Sequence, residues 1–161
     1  HYVDVAHEKS TAQSTDFKLE ISRTDLVRLT SQAAVHRVEA YFGTPSFHAI
    51  KIRRVEPPAS AVNAPPGELQ CIDFHLDKFS TKTMQVCLND ENEYVGGRVV
   101  YATADGLLCV PRPAGAVTVH DNSIPHGVTA MRSGVRYGLF LLQRGVTNNS
   151  ISQWPSLDTV D

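Results

Sequence analysis

The sequence lacks an apolar run long enough for a membrane helix. Its best late stretch, Leu139 to Leu142, is the length of a strand, whereas a spanning helix needs about 18 apolar residues or more. It also lacks an excess of positive charge, because 15 Lys and Arg stand against 17 Asp and Glu. Binding to the phosphates of a nucleic acid depends on such an excess. We therefore expect neither a membrane nor a nucleic acid as a partner.

Cysteine is scarce, and internal repeats are absent. Cys71, Cys87 and Cys109 lie far apart with no CxxC pair, and three cysteines cannot all form disulfides. This argues against a disulfide scaffold and favours a reducing, intracellular compartment.

The length and composition predict one domain. A chain of 161 residues with 42% hydrophobic residues can build a single core. We expect that core to span about residues 24–143, with 1–16 and 145–161 peripheral. Because the chain begins at His1 and not at Met, we expect it to be a processed or excised piece.

One segment has a helical pattern, beginning at Thr24. Apolar residues recur there at spacings of three, four and seven, which gives a broad apolar face. Ser22 or Thr24 can cap the start, and Asp25 suits the positive end of the helix dipole. Gly43, shortly before a proline, ends the segment. The pattern predicts one helix.

The rest of the chain reads as short β-rich runs separated by turn residues. The predicted strands are 48–55, 69–75, 83–88, 98–102, 107–110, 116–119 and 135–142. The segment 56–68 carries four prolines, which cannot join a central strand, and we expect a long surface loop that covers a site. Many strands after one helix predict an antiparallel double sheet with the helix on its outer face.

A His-x-Asp pair is the first candidate for chemistry. On a strand, His75 and Asp77 point to the same face. A neutral imidazole and a carboxylate are two of the three ligands that hold non-haem Fe(II). The pair alone also fits a chance surface arrangement. The histidines without a nearby ligand partner fit solvated or packing roles: His1, His7, His36 and His48.

Two further residues, later in the chain, support a functional interpretation of the His-x-Asp pair. His126 lies in a Pro-His-Gly-Val stretch, and Arg136 follows ten residues later inside an apolar run. A buried arginine needs an anion, and its planar fork suits a carboxylate. Alternation places Arg136, Gly138 and Phe140 on one face, where glycine leaves room for the arginine. The pattern predicts a metal site beside a carboxylate clamp in one barrel interior.

Each of these residues also has a structural interpretation. Arg136 can pair with an internal Asp or Glu, Asp77 can be a turn residue, and His126 can be a hydrogen-bonded core histidine. His120, next to Asp121, lacks comparable flanks, so we assign it a structural role or the support of a ligand. The pair Gly96-Gly97 can be a hairpin turn.

From about Thr24 to Gln143, the sequence resembles the prolyl 4-hydroxylase-type Fe(II)/2-oxoglutarate-dependent dioxygenases. The matching pieces, in order, are the helix, the His-x-Asp at 75–77, TMQVCLND at 83–90, GG at 96–97, VPRPAGA at 110–116, PHGV at 125–128 and GVRY at 134–137. The resemblance implies a mostly β fold: a double-stranded β-helix (jelly-roll) core with an N-terminal supporting helix.

The resemblance also implies roles for individual residues. Fe(II) would be bound by His75, Asp77 and His126. Arg136 would hold the distal carboxylate of 2-oxoglutarate, Val128 would pack on that cosubstrate, and Gln85 would line the pocket. With O₂, such an enzyme hydroxylates a C–H bond and converts 2-oxoglutarate to succinate. A prolyl or other side chain of a protein or peptide would be the substrate, with segments 56–68 and 90–95 as the walls of a groove.

Two positions depart from the family pattern. Cys87 stands where many members place a tyrosine that helps the arginine to hold the carboxylate. Arg54 falls where many members have a tyrosine before the His-x-Asp, which would change the substrate side of the site. Two other functions stay open: a non-catalytic β-sandwich module that binds a carboxylate or sugar, and a metal enzyme with another cosubstrate.

Overall fold

The computed structural model describes residues 15–42, 47–65 and 72–143. Predictions for the two termini, for the helix end at Gly43, for Cys71 and for positions 66–71 lie outside the described residues. Neither α-helix of the described chain is long and apolar enough to cross a membrane.

The described residues form two α-helices, two short 3₁₀ helices and eleven strands. In chain order these are β1 (Thr15–Ile21), α1 (Arg23–Leu29), α2 (Gln32–Phe42), β2 (Ala49–Glu56), the first 3₁₀ helix (Ala59–Asn63), β3 (Ile72–His75), β4 (Lys82–Cys87), the second 3₁₀ helix (Glu91–Glu93), β5 (Tyr94–Gly96), β6 (Val99–Thr103), β7 (Gly106–Cys109), β8 (Val117–Asp121), β9 (His126–Val128), β10 (Met131–Gly134) and β11 (Arg136–Gln143).

The strands form two main antiparallel sheets, as the sequence predicts. The larger sheet has the order β1-β2-β11-β4-β8, and the smaller has the order β3-β9-β6-β7. A two-stranded ribbon pairs β10 with β5. Non-consecutive strands are neighbours in both sheets, so residues distant in the chain meet across them.

The two faces of the larger sheet carry different kinds of side chain. Its outer face carries the main hydrophobic core, in which helix and strand residues pack together: Leu26, Val35, Phe42, Ile50, Met84, Leu139 and Leu141. Because side chains alternate along a strand, Arg136, Gly138 and Phe140 lie on the opposite, inner face. The helical layer therefore leaves the inner face free for polar residues.

The single predicted helix is two helices. Ser22 caps α1 through a capping box with Asp25, which selects Ser22 and not Thr24 as the cap. At Thr30 the backbone N–H and the side-chain hydroxyl both bond the Leu26 carbonyl, which ends α1. The Ser31 hydroxyl then accepts from the Ala34 N–H and starts α2. Two hydroxyl residues in succession thus break a continuous apolar pattern.

Strand β1 is not among the strands that the sequence predicts, and it includes residues 15 and 16, which we expect to be peripheral. It pairs with β2 along its whole length, from Thr15 opposite Glu56 to Ile21 opposite Ile50. The signal was present: apolar and charged residues alternate from Asp16 to Ile21. The strand adds Asp16 to the inner face.

The paired glycines do not form a hairpin. β5 pairs with β10, and the following strand β6 pairs with β9, so Gly96 and Gly97 carry the chain from the ribbon to the smaller sheet. Both have positive φ, 79° and 62°, a region that favours glycine. A Cβ at Gly96 would lie 1.9 Å from the Ala130 carbonyl oxygen. The turn therefore requires glycine for its conformation and for its space.

Candidate metal centre

The structure brings His75, Asp77 and His126 together. His75 ends β3 and lies directly opposite His126, the first residue of β9, with ring centroids 4.4 Å apart. Asp77 lies beyond the end of β3, not on the strand as we assumed, yet its Oδ1 is 4.0 Å from His75 Nε2 and 3.8 Å from His126 Nε2. One ligand atom from each residue lies within 4.8 Å of the others. No other His, Cys, Asp or Glu cluster of the described residues meets this criterion.

Backbone carbonyls select the nitrogen that each imidazole presents. His75 Nδ1 lies 2.9 Å from the carbonyl oxygen of Asp73, and His126 Nδ1 lies 3.2 Å from that of Ile124. A carbonyl only accepts, so each Nδ1 carries the proton and each Nε2 carries a lone pair. The two lone pairs are on the nitrogens nearest Asp77.

His126 is suited to remain neutral. Burial lowers its pKa to about 4, and the neighbouring His120 contributes to the shift, against an opposing effect of Asp77. At neutral pH the ring is therefore uncharged, which metal binding requires.

Asp77 is held as a carboxylate by its neighbours. Burial raises its pKa, but hydrogen bonds from His120 and Thr83, together with the electrostatic effects of His126 and His120, outweigh burial, and the net pKa lies well below the usual range. Thr83 Oγ1 donates to Oδ2 at 2.5 Å, and His120 Nε2 lies 3.2 Å from the same oxygen. Because these two bonds use Oδ2, Oδ1 remains available on the side of His75 and His126.

The donor set fits a divalent metal of the non-haem Fe(II) type. Two neutral imidazole nitrogens and one carboxylate oxygen are the ligands of the facial triad, which leaves positions open for other molecules. The His75 side chain is 43% exposed, whereas that of His126 is 5% exposed. The site therefore opens to solvent on the side of His75.

His120 contacts the site, in agreement with the supporting role considered from the sequence. Its ring centroid is 4.4 Å from that of His126, and it packs edge-on against Tyr101 at 5.4 Å. Its Nδ1 is buried without a hydrogen-bond partner. Sequence reasoning did not single out Thr83 or Tyr101, although alternation on β4 places Thr83 on the same face as Gln85.

Arg136 lies on the inner face, at the start of β11, and is 8% exposed. Burial lowers its pKa to about 10, with further contributions from the charges of Arg53 and Arg112. Its Nη1 donates to the Gly97 carbonyl oxygen. It lines a pocket that also contains Val128 and Ile72. Arg136 and Val128 therefore line the same pocket.

An ion pair that sequence reasoning missed lies at the same pocket. Arg53 donates to both oxygens of Asp16, at 3.2 and 2.6 Å, and both residues line the pocket beside Arg136. The Arg53 guanidinium also lies over the Phe140 ring, 5.1 Å from its centroid. No sequence pattern connects the two residues, because their contact depends on the register of β1 on β2.

Gln85 lies on the inner face but contacts a different arginine. Its Oε1 accepts from Arg112 Nη1 at 3.1 Å, and the Arg112 Nε lies 2.8 Å from the Cys87 sulfur. Gln85 is not among the residues that line the pocket beside Arg136.

Two local predictions are wrong. Arg54 pairs across the sheet with Tyr137, on the face opposite Arg136, and bonds Glu56, so it is not on the substrate side of the site. At Gly138, an added Cβ would lie 2.9 Å from the Phe140 ring, and Arg136 is not among its nearest neighbours. The small residue makes room for Phe140, not for the arginine.

Comparison with solved structures identifies the fold. A 2OG-Fe(II) oxygenase family oxidoreductase from Burkholderia pseudomallei matches with a TM-score of 0.56 at 16% identity, over 84% of this chain and 71% of that chain. A prolyl-4-hydroxylase from Pseudomonas putida matches with a TM-score of 0.50 at 18% identity, over 85% and 77%.

A third match carries a bound peptide. A prolyl hydroxylase from Trichoplax adhaerens, in complex with a hypoxia inducible factor oxygen degradation domain peptide fragment, gives a TM-score of 0.52 at 14% identity, over 80% and 62%. No family model and no curated protein sequence matches this chain. The likeness rests on structure, and it confirms the mostly β jelly-roll with N-terminal helices: the chain has the fold of 2OG-Fe(II) oxygenase and prolyl hydroxylase structures.

Proposed function

We propose that this chain is an Fe(II)- and 2-oxoglutarate-dependent dioxygenase that hydroxylates a C–H bond. The observation that carries the proposal is the convergence of three ligand atoms, from His75, Asp77 and His126, within 4.8 Å. The fold, shared with oxygenase structures at 14–18% identity, supports it.

Each residue of the candidate metal site has a separate proposed role. His75 and His126 would donate Nε2, and Asp77 would donate Oδ1 while Oδ2 stays bonded to Thr83 and His120. Fe(II) held there would supply the activation of O₂ that couples 2-oxoglutarate decarboxylation to hydroxylation. The buried side of the site, around His126 and Tyr101, excludes water, and the exposed side at His75 admits substrate.

Arg136 would hold the distal carboxylate of 2-oxoglutarate. Its Gly97 contact occupies only one of its five N–H groups, so the guanidinium keeps donors for a bidentate pair. Val128, in the same pocket, would contact the aliphatic carbons of the cosubstrate. Gln85, on the neighbouring strand β4, would line the part of the inner face beside Arg112, from whose Nη1 it accepts a hydrogen bond.

A protein or peptide side chain, prolyl or other, is the proposed substrate. The first 3₁₀ helix contacts β10, which is the partner of β5 in the two-stranded ribbon, so segments from the two predicted groove walls meet at this ribbon. The peptide bound to the Trichoplax adhaerens prolyl hydroxylase supports this class of substrate. Incubation with a peptide library should produce products heavier by one oxygen, and hydroxylation of small molecules alone would exclude the peptide assignment.

The test of the reaction is aerobic formation of succinate and CO₂ from 2-oxoglutarate with added Fe(II). We expect turnover in the wild-type chain and none in His126→Ala or Asp77→Ala, because each loses a ligand. His36→Ala is the matched control, since His36 is exposed on α2. Absence of wild-type turnover, or full turnover in His126→Ala, would contradict the proposal.

A further inference from the structure

Arg112 is a buried arginine to which the resemblance assigns no role. It lies in the connection between β7 and β8 and is 7% exposed. Its Nε is directed at the Cys87 sulfur and its Nη1 at Gln85 Oε1. Neither partner is a carboxylate. Burying a guanidinium without a carboxylate partner costs free energy unless a bound anion neutralises its charge.

The contacts of Arg112 place it over the same face as Arg136. Cys87 lies opposite Gly138 in the sheet, and Gln85 lies opposite Phe140. Gly138 and Phe140 alternate with Arg136 on the inner face of β11. The charge of Arg112 also contributes to the lowered pKa of Arg136, so the two guanidiniums are close enough to interact electrostatically.

The charges of this interior are not balanced. Arg53 has a counter-ion in Asp16. Within the described chain, no carboxylate lies within salt-bridge distance of Arg112 or Arg136. Two buried positive charges that repel each other therefore remain, and a carboxylate between them would relieve both.

We propose that Arg112 is a second anion-binding residue, which holds the distal carboxylate of 2-oxoglutarate together with Arg136. The inference rests on the proposed function. It explains the cysteine at 87: where the resemblance leads one to expect a tyrosine that contacts the carboxylate, Arg112 reaches the same position from another segment. The pocket would then take dicarboxylates and reject analogues with a neutral distal end.

The test uses glutarate, which has the distal carboxylate of 2-oxoglutarate but lacks the 2-oxo group that chelates a metal. Glutarate is titrated into the full chain with and without Zn(II), by calorimetry and by the shift in melting temperature. Arg112→Gln and Arg136→Gln should each weaken binding by roughly 10-fold or more, as expected for a lost charge-assisted hydrogen bond. Arg98→Gln is the control, because the Arg98 side chain is 50% exposed and pairs with Glu91.

The outcomes separate this inference from the proposed function. Weaker binding in Arg136→Gln together with unchanged or tighter binding in Arg112→Gln would show that Arg112 is structural or fills the pocket, and would leave the dioxygenase proposal intact. A wild-type chain that binds neither glutarate nor, with Zn(II), 2-oxoglutarate would overturn both. If Arg112→Gln does not fold, Arg112→Lys is tested instead, with folding checked by circular dichroism. Lysine keeps the charge but lacks the planar fork, so affinity equal to wild type in that variant would contradict carboxylate binding by the Arg112 guanidinium.

Discussion

The proton positions on two imidazoles determine whether the site can bind a metal. In both His75 and His126, a carbonyl two residues earlier accepts from Nδ1, so the same local geometry presents Nε2 twice. Asp77 completes the set with one oxygen while its other oxygen is held by Thr83 and His120. These hydrogen bonds orient the three candidate ligands without a metal.

The depressed pKa of His126 predicts a pH-dependent loss of stability in the metal-free protein. Above pH 6.5 the ring is neutral in both folded and unfolded chains and contributes nothing. Below that pH the unfolded chain takes a proton that the folded chain refuses until about pH 4. The free energy of unfolding should therefore fall between these pH values, by about 3 kcal/mol from this residue.

Urea unfolding with a chelator present measures this loss. His126→Gln cannot titrate, so its unfolding free energy should fall less than that of the wild type between pH 6.5 and 4. Carboxylates common to both proteins cancel in the difference. Parallel curves for the two proteins would mean that the pKa of His126 is not lowered by folding.

At the scale of elements, two short helices replace one long helix because hydroxyl side chains satisfy backbone groups at the break. Arg23 on α1 bonds both oxygens of Glu39 on α2, at 2.6 and 2.9 Å, and this pair ties the two helices together. The break lets each helix turn its apolar side to the sheet.

The capping assignment predicts a difference between two neighbouring hydroxyl residues. Ser22→Ala removes the acceptor for the Asp25 N–H and should lower the unfolding free energy by about 1 kcal/mol. Thr24→Ala, at an exposed position inside α1, should leave it unchanged or slightly raised, since alanine favours helix. Denaturant melts of both variants measure the difference. Equal losses would mean that the capping box contributes nothing.

For the whole molecule, the larger sheet separates stability from the site. Its outer face packs against the helices. Its inner face carries Arg53 and Arg136, and also Thr83, which donates a hydrogen bond to Asp77. A substitution on one face should therefore affect one property and spare the other.

Leu141→Ala tests this separation. Leu141 is fully buried in the helix-side core, and removing it should lower the unfolding free energy by about 2–5 kcal/mol. Zn(II) affinity, measured under conditions in which the variant remains folded, should stay within about twofold of wild type. The candidate ligands lie on the side of the larger sheet opposite Leu141. Leu108→Ala, at a 50% exposed position on β7, should change the unfolding free energy little. A large loss of Zn(II) affinity in folded Leu141→Ala would show that the faces are coupled.

The sequence by itself determined the residue types and the local periods. Alternation over 135–142 predicts Arg136 on the face away from Leu139 and Leu141, because side-chain direction on a strand depends only on neighbours in the chain. The order of the family-like motifs pointed to His75, Asp77 and His126 as candidate ligands. The tertiary structure decided what depends on strands distant in sequence: the Asp16–Arg53 pair, the contact of His120 with Asp77, the side on which Arg54 lies, and the approach of Arg112 to Cys87. Those contacts arise from sheet register and loop path, which no local pattern encodes.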